Sequence, residues 1–168
     1  MKPILTVSSL LLAVSLTGAC APAAPPPPDT AAMIAAATAL NEQFVAAYNA
    51  GDVEAVTALY WNSPETMLFL PDAMMAKGID GIREAMAEGL PAMHAAGAVL
   101  TITESHHMVI GDAVAGWGLW TMTMNGPDGT PVEMEGRFTD IRAERDGKWV
   151  YLVDHASSIL PPPPAGGN

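Results

Sequence analysis

The sequence predicts an α+β domain, with helices packed on one face of an antiparallel sheet. Three observations carry that reading. From Phe44 to Tyr60, FVAAYNAGDVEAVTALY reads as a long helix, a Gly-Asp break and a short second helix. After Gly97 the helical spacing of apolar residues gives way to strand-like runs that continue to Ser158. Near the C-terminus, GKWVYLVDHASS reads as a final strand entered through a tight Asp146-Gly147 turn.

The elements follow in order. Met33, Ala37, Leu40 and Phe44 fall at helical spacing over residues 30–49, with Asp29 or Thr30 as the cap. Gly51 can adopt the left-handed conformation that closes this helix. Asp52 is placed to cap the next, residues 53–61, with Glu54 in its first turn. Residues 66–70 form a short apolar strand before a Pro71-Asp72 turn. A third helix starts at about Asp80, with Ile82, Met86, Leu90 and Met93 on one face, and Pro91 should kink or end it. Four strands follow, over residues 99–110, 113–124, 132–145 and 148–158.

The ends of the chain read differently. Residues 1–19 carry Lys2, an apolar run from Ile4 to Leu16 and the small pair Gly18-Ala19. This is a secretory signal pattern, too short to span a membrane. Cys20 follows and is the chain's single cysteine, so no internal disulfide can form. LTGAC resembles a bacterial lipoprotein box, although Thr17 stands where an aliphatic residue is usual. The resemblance implies that Cys20 is lipidated, giving a lipid anchor at the periplasmic face of a bacterial membrane; an ordinary secretory peptide is the alternative. The proline-rich stretch 20–29 would then be a semi-rigid tether, and PPPPAGGN at 160–168 a disordered tail. The domain proper is residues 30–159. A net charge of −11 argues against nucleic acid and anionic lipid as partners.

AAYNAGD, the helix-break-helix around it and the late strands ending in DHAS resemble the nuclear transport factor 2-like superfamily. Within it the chain is most similar to SnoaL-like and ketosteroid isomerase-like domains. The resemblance implies a cone-shaped barrel of curved antiparallel sheet, with the three N-terminal helices on its concave face. It also implies a pocket in the cone and a homodimer formed through the sheet. The family's fold hosts enzymes, binders and assembly domains, so it does not name a substrate.

Ketosteroid isomerase chemistry needs a carboxylate base and two donors, a tyrosine and a protonated aspartic acid. By resemblance the tyrosine falls on Phe44, which has no hydroxyl. The base should lie in TMLFL, residues 66–70, which contains no carboxylate. The protonated acid falls near Thr139-Asp140. The isomerase site is therefore incomplete. Asp140 reads either as a pocket acid or as an exposed strand carboxylate paired with Arg142 or Arg145. Asp154 and His155 are adjacent, so a regular strand sends them to opposite faces. The resemblance puts Leu152, Asp154 and Ala156 toward the pocket, and makes Asp140 and Asp154 the candidate acid/base residues. It also makes Phe44, Trp117, Leu119, Thr139, Leu152 and His155 the candidate ligand contacts, His155 with a buried structural role as the alternative.

His106-His107 with Glu104 invites a metal reading, but neighbouring histidines on a strand diverge and no third ligand has diagnostic spacing. Neither HExxH nor CxxC occurs, and no cofactor is expected. The many methionines, among them Met67, Met74, Met75, Met86 and Met93, read as core or pocket-mouth residues. The sequence thus points to an exported domain that binds a small apolar molecule. The alternatives are an isomerase, cyclase or lyase acting through Asp140 or Asp154, and a dimerising interaction module with a filled cone.

Overall fold

The computed structural model describes residues 29–71 and 74–159. Cys20, the signal and tether segments, most of the Pro71-Asp72 turn and the C-terminal tail lie outside the described residues. Three helices, α1 (Thr30–Asn49), α2 (Val53–Thr57) and α3 (Gly78–Ala95), pack on a six-stranded sheet. The strands are β1 (Met67–Phe69), β2 (Ala76–Lys77), β3 (Val99–Ile110), β4 (Ala113–Asn125), β5 (Pro131–Arg145) and β6 (Lys148–Ser158).

The helix ends are built as the sequence indicates. Asp29 accepts from the Ala32 N–H at 3.1 Å and Asp52 from the Ala55 N–H at 2.9 Å, each satisfying a donor that the helix leaves unpaired. Gly51 takes φ 68°. The Gly51 N–H then donates to Tyr48 O and the Asp52 N–H to Ala47 O, the paired bonds of a left-handed helix stop. Two boundaries differ from expectation. α2 ends at Thr57, because Tyr60 leaves the helix to bridge Tyr151 of β6. α3 begins at Gly78 and runs past Pro91 to Ala95. One proline removes a single ladder bond, and the bonds from Gly97 to His94 O and from Ala98 to Met93 O secure the end of the helix.

The α+β architecture is as predicted, and the sheet itself carries two corrections. It is mixed, since β1 runs parallel to β6 while the other pairs are antiparallel. It is also open: the order β2-β1-β6-β5-β4-β3 leaves β2 and β3 as edges, so it does not close into a barrel. β2 is a two-residue strand absent from the sequence reading, too short to leave a periodic signal.

The core divides into two groups. One gathers Leu40, Val56, Leu68, Ile82, Met86 and Tyr151 between the helices and the β1/β6 side. The other gathers Leu100, Trp120, Met122 and Phe138 under α1 at the β3/β4 side. Phe44 and Tyr48 of α1 pack against both groups. Residues of both groups line a cavity between the helices and the sheet.

Candidate functional site

A cavity of about 350 Å³ lies between the helices and the inner face of the sheet. Its size is that of a small-molecule site. Most of the wall is apolar, from Phe44, Leu68, Leu90, Trp120, Met122 and Phe138 among others. One corner is polar, built by Asn41, Asp140, Tyr151 and Asp154.

Sheet register makes this corner. Asp140 on β5 pairs directly with Asp154 on β6, so both carboxylates share the inner face. Two residues further along β5, Arg142 returns to that face. On β6 the pairing shifts: Ile141 meets Val153 but Arg142 meets Tyr151, leaving Leu152 as the extra residue of a bulge. The bulge reverses the phase, and so Tyr151 and Asp154 both face inward although three positions apart.

Each polar group has defined partners. Tyr60 donates its hydroxyl to Asp154 Oδ2 at 2.7 Å. Tyr151 donates to Asn41 Oδ1 at 3.1 Å, and Asn41 Nδ2 donates to Ser105 Oγ at 3.1 Å. Arg142 is 0% exposed and donates to Asp140 Oδ2, to Ala37 O and to His107 Nε2. Its guanidinium also lies 5.1 Å from the centre of the Tyr151 ring. Asp140 is 4% exposed, and its Oδ1 has no hydrogen-bond partner among the described residues. A β-carbon at Gly116 on β4 would stand 2.5 Å from that oxygen and 2.9 Å from Arg142 Nη2, so only glycine fits beneath the ion pair.

Two carboxylates thus face one guanidinium in a space shielded from water. Like charges directly opposed on neighbouring strands are unfavourable, and burial adds to the cost. Burial raises the Asp140 carboxyl, with the Arg142 charge opposing. Asp154 is raised to about 7, by burial first and the Asp140 charge second, against the Tyr60 hydrogen bond and Arg142. Asp154 is half-buried on accounting of its whole surface, but the part left open faces the cavity, and burial dominates its titration. Burial, then the Asp154 charge, raises the Tyr60 hydroxyl well above the usual range, so it stays a donor. His107 is lowered by burial and by Arg142, consistent with a neutral ring accepting from the guanidinium.

Of the residues singled out in the sequence, Phe44, Asp140 and Asp154 line the cavity. Leu68 and Leu70 line it where the resemblance looks for a catalytic base. Five expectations are corrected. Trp117 and Leu119, 40% and 39% exposed, point to the outer face of the sheet, while Trp120 and Met122 take the inner face of β4. Thr139 and His155 pair with each other on that outer face, where His155 is exposed and packs edge-on against Phe69. Leu152 is displaced by the bulge and is not part of the cavity wall. Adjacent His106 and His107 diverge, as a strand requires. His106 pairs with Glu104 at 2.6 Å and stacks on Trp117, whereas His107 meets Arg142.

Asn41, Tyr60 and Tyr151 were not identified from the sequence as site residues, and Arg142 was named there as a pairing partner of an exposed Asp140, whereas the pair is buried. For Arg142 the signal was present in the i, i+2 spacing of Asp140 and Arg142, which puts both on one strand face. Tyr60 was hidden by the expected helix, and Tyr151 by the bulge.

The model of the SnoaL-like domain family matches residues 41–152, well over half of the chain. No curated protein matches the sequence significantly. Among solved structures, an NTF2-like superfamily protein from Salmonella enterica superposes with a TM-score of 0.69 at 19% identity, over 83% of this chain and 99% of that one. An uncharacterized protein with a cystatin-like fold from Caulobacter vibrioides gives 0.66 at 20% identity, over 77% and 92%. An NTF2-like protein with a cystatin-like fold from Novosphingobium aromaticivorans gives 0.68 at 14%, over 77% and 83%. At these identities the likeness is one of fold.

Proposed function

This chain belongs to the SnoaL-like domain family, and we propose that it binds a small, mostly apolar molecule in the cavity, with the molecule's polar end at Asp154. The supporting observation is the cavity itself: about 350 Å³, apolar on most sides, with polar side chains converging on one corner. The signal pattern and proline-rich stretch ahead of residue 30 support an exported domain tethered through a lipidated Cys20. Intact mass of membrane-extracted protein tests that tether; a mature chain with a free Cys20 thiol contradicts it.

Calorimetry with a neutral apolar probe, 2-phenylethanol, tests the binding reading. The wild type should bind it. Gly89→Leu should weaken binding, because Gly89 lines the cavity and a β-carbon there meets nothing within 4 Å. Leucine also favours a helix interior over glycine, so the fold should hold. Absence of wild-type binding, or equal binding by Gly89→Leu, counts against the cavity as the site.

A second reading rests on Asp154 alone. A carboxyl that titrates at about 7 inside a cavity is poised to give or take a proton at neutral pH. This favours an isomerase, cyclase or lyase with Asp154 as acid/base and Tyr60 as its positioning residue. A bell-shaped or sigmoid rate profile centred near pH 7, lost in Asp154→Asn, would identify such an activity.

The outer sheet face supports a homodimer. Met108, Ile110, Trp117, Leu119 and Ile141 are exposed there, and the helices cover only the other face. The carboxylate beside Trp117 on this face, Glu104, is paired with His106, which stacks on that ring, and Thr139, Ile141 and His155 continue the surface across β5 and β6. That pairing lessens like-charge repulsion toward a second copy.

A further inference from the structure

We propose that the ligand class is a small apolar molecule carrying a protonated amine, seated against Asp154 with its apolar body among the aromatic rings. This inference rests on the reading that the cavity is a ligand site.

The charged residues of the cavity wall are Asp140 and Asp154; among the described residues no lysine, arginine or histidine lines it. Arg142 lies behind the wall, fully buried: Nη1 and Nη2 donate to the Ala37 carbonyl, His107 and Asp140, and Nε, without a partner among the described residues, is buried as well. It has no free face to offer an anionic ligand. An anion entering the cavity would meet two carboxylates and only a shielded guanidinium. With Asp154 ionised, a neutral ligand leaves the corner with one carboxylate more than its cation balances. A cation closes the count: Asp140 with Arg142, Asp154 with the ligand.

Three further observations point the same way. Asp140, nine-tenths buried and more, keeps an unpartnered Oδ1 in this corner, which deepens the negative potential there. Phe44, Tyr48, Trp120 and Phe138 put aromatic rings into the wall, which suit the apolar body of such a ligand. The net charge of −11 also draws cations toward the protein before contact.

The groups facing Asp154 decide the pH dependence. Tyr60 and Tyr151 stay protonated, burial raises the Asp140 carboxyl with the Arg142 charge opposing, and Arg142 stays charged with His107 as its neutral acceptor. Asp154 is the group that titrates near neutrality, at about 7. Above that pH it is ionised and an ammonium binds without proton exchange. Below it, binding must expel the Asp154 proton, and affinity falls by about tenfold for each further pH unit.

The test is calorimetry of the full chain with 2-phenylethylamine, its neutral isostere 2-phenylethanol and the acid 3-phenylpropanoate, at pH 8 and pH 6. The expected order at pH 8 is amine over alcohol by at least tenfold, with the acid weakest. The amine's advantage should shrink at pH 6 and release a proton, visible as a buffer-dependent enthalpy. Asp154→Asn should remove most of the advantage while its circular dichroism stays that of the wild type; Asp154→Glu should restore part of it. If amine and alcohol bind equally, or the acid binds best, the cavity remains a ligand site and the amine inference is overturned. If none of the three binds, the cavity reading fails and takes this inference with it.

Discussion

At the scale of single residues, the two aspartates of the polar corner should behave in opposite ways when changed. Asp140 compensates a guanidinium that has no access to water, and breaking such a pair from one side costs about 3 to 5 kcal/mol. Asp140→Asn should therefore lower the denaturation midpoint strongly. Asp154 is the surplus acid, so Asp154→Asn should fold at least as well as the wild type at pH 8. The pH dependence has a definite sign. The folded Asp154 titrates at about 7, above the unfolded value of 3.8, so the native state holds the extra proton between them. Its contribution is fully present at pH below about 4 and is lost as pH rises through 7, on the order of a few kcal/mol in all. Urea denaturation should show the gap between wild type and Asp154→Asn narrower at pH 5 than at pH 8, with the variant more stable at pH 8. A wild type that gains on the variant as pH rises would contradict the protonation assignment. Both acids were legible in the sequence because they stand on the last two strands. Arg142, the partner of Asp140, was legible from its i, i+2 spacing, but Tyr60, the partner of Asp154, was not, because that contact depends on a helix ending one turn early, which no propensity signals.

At the scale of elements, β4 and β6 show where pattern reading works and where it stops. Helix spacing gave α1 with both bounds, and Gly-Asp pairs placed the breaks, since glycine alone enters the left-handed region freely. The strand bounds at the Gly111-Asp112 and Asp146-Gly147 turns held, while β4 and β5 each run one residue further into the loop they share. Which face each strand turns inward was a different matter. Alternation in GWGLW is compatible with either phase, and the structure puts the glycines inward. A β-carbon at Gly118 would collide with the Glu104 carbonyl, and one at Gly136 with the Trp120 ring. Small residues on the inner face thus make room for Phe138, Trp120 and the Asp140–Arg142 pair, and push Trp117 and Leu119 outward. Gly116→Ala tests this: the added methyl meets the buried ion pair from below. Overpacking of this kind costs about 1 to 3 kcal/mol. Thermal unfolding should show the loss, and a neutral Gly116→Ala would mean that the strand can yield there.

At the scale of the whole molecule, one face of the sheet is covered by helices and encloses the cavity, while the other is bare and partly apolar. A second copy on the bare face should give a dimer in light scattering at micromolar concentration, and Trp117→Glu with Ile141→Glu should return it to a monomer. A wild-type monomer would leave the outer face solvated. Binding belongs to the inner face, and the two faces can be separated in one experiment. Amide chemical shifts followed through a titration with 2-phenylethanol report on both at once. The cavity account predicts saturable shifts at Phe44, Leu68, Trp120, Phe138 and Asp154, with Thr139 and Leu119 of the outer face left unmoved. Shifts confined to Trp117, Leu119 and Ile141, or none at all, would contradict it.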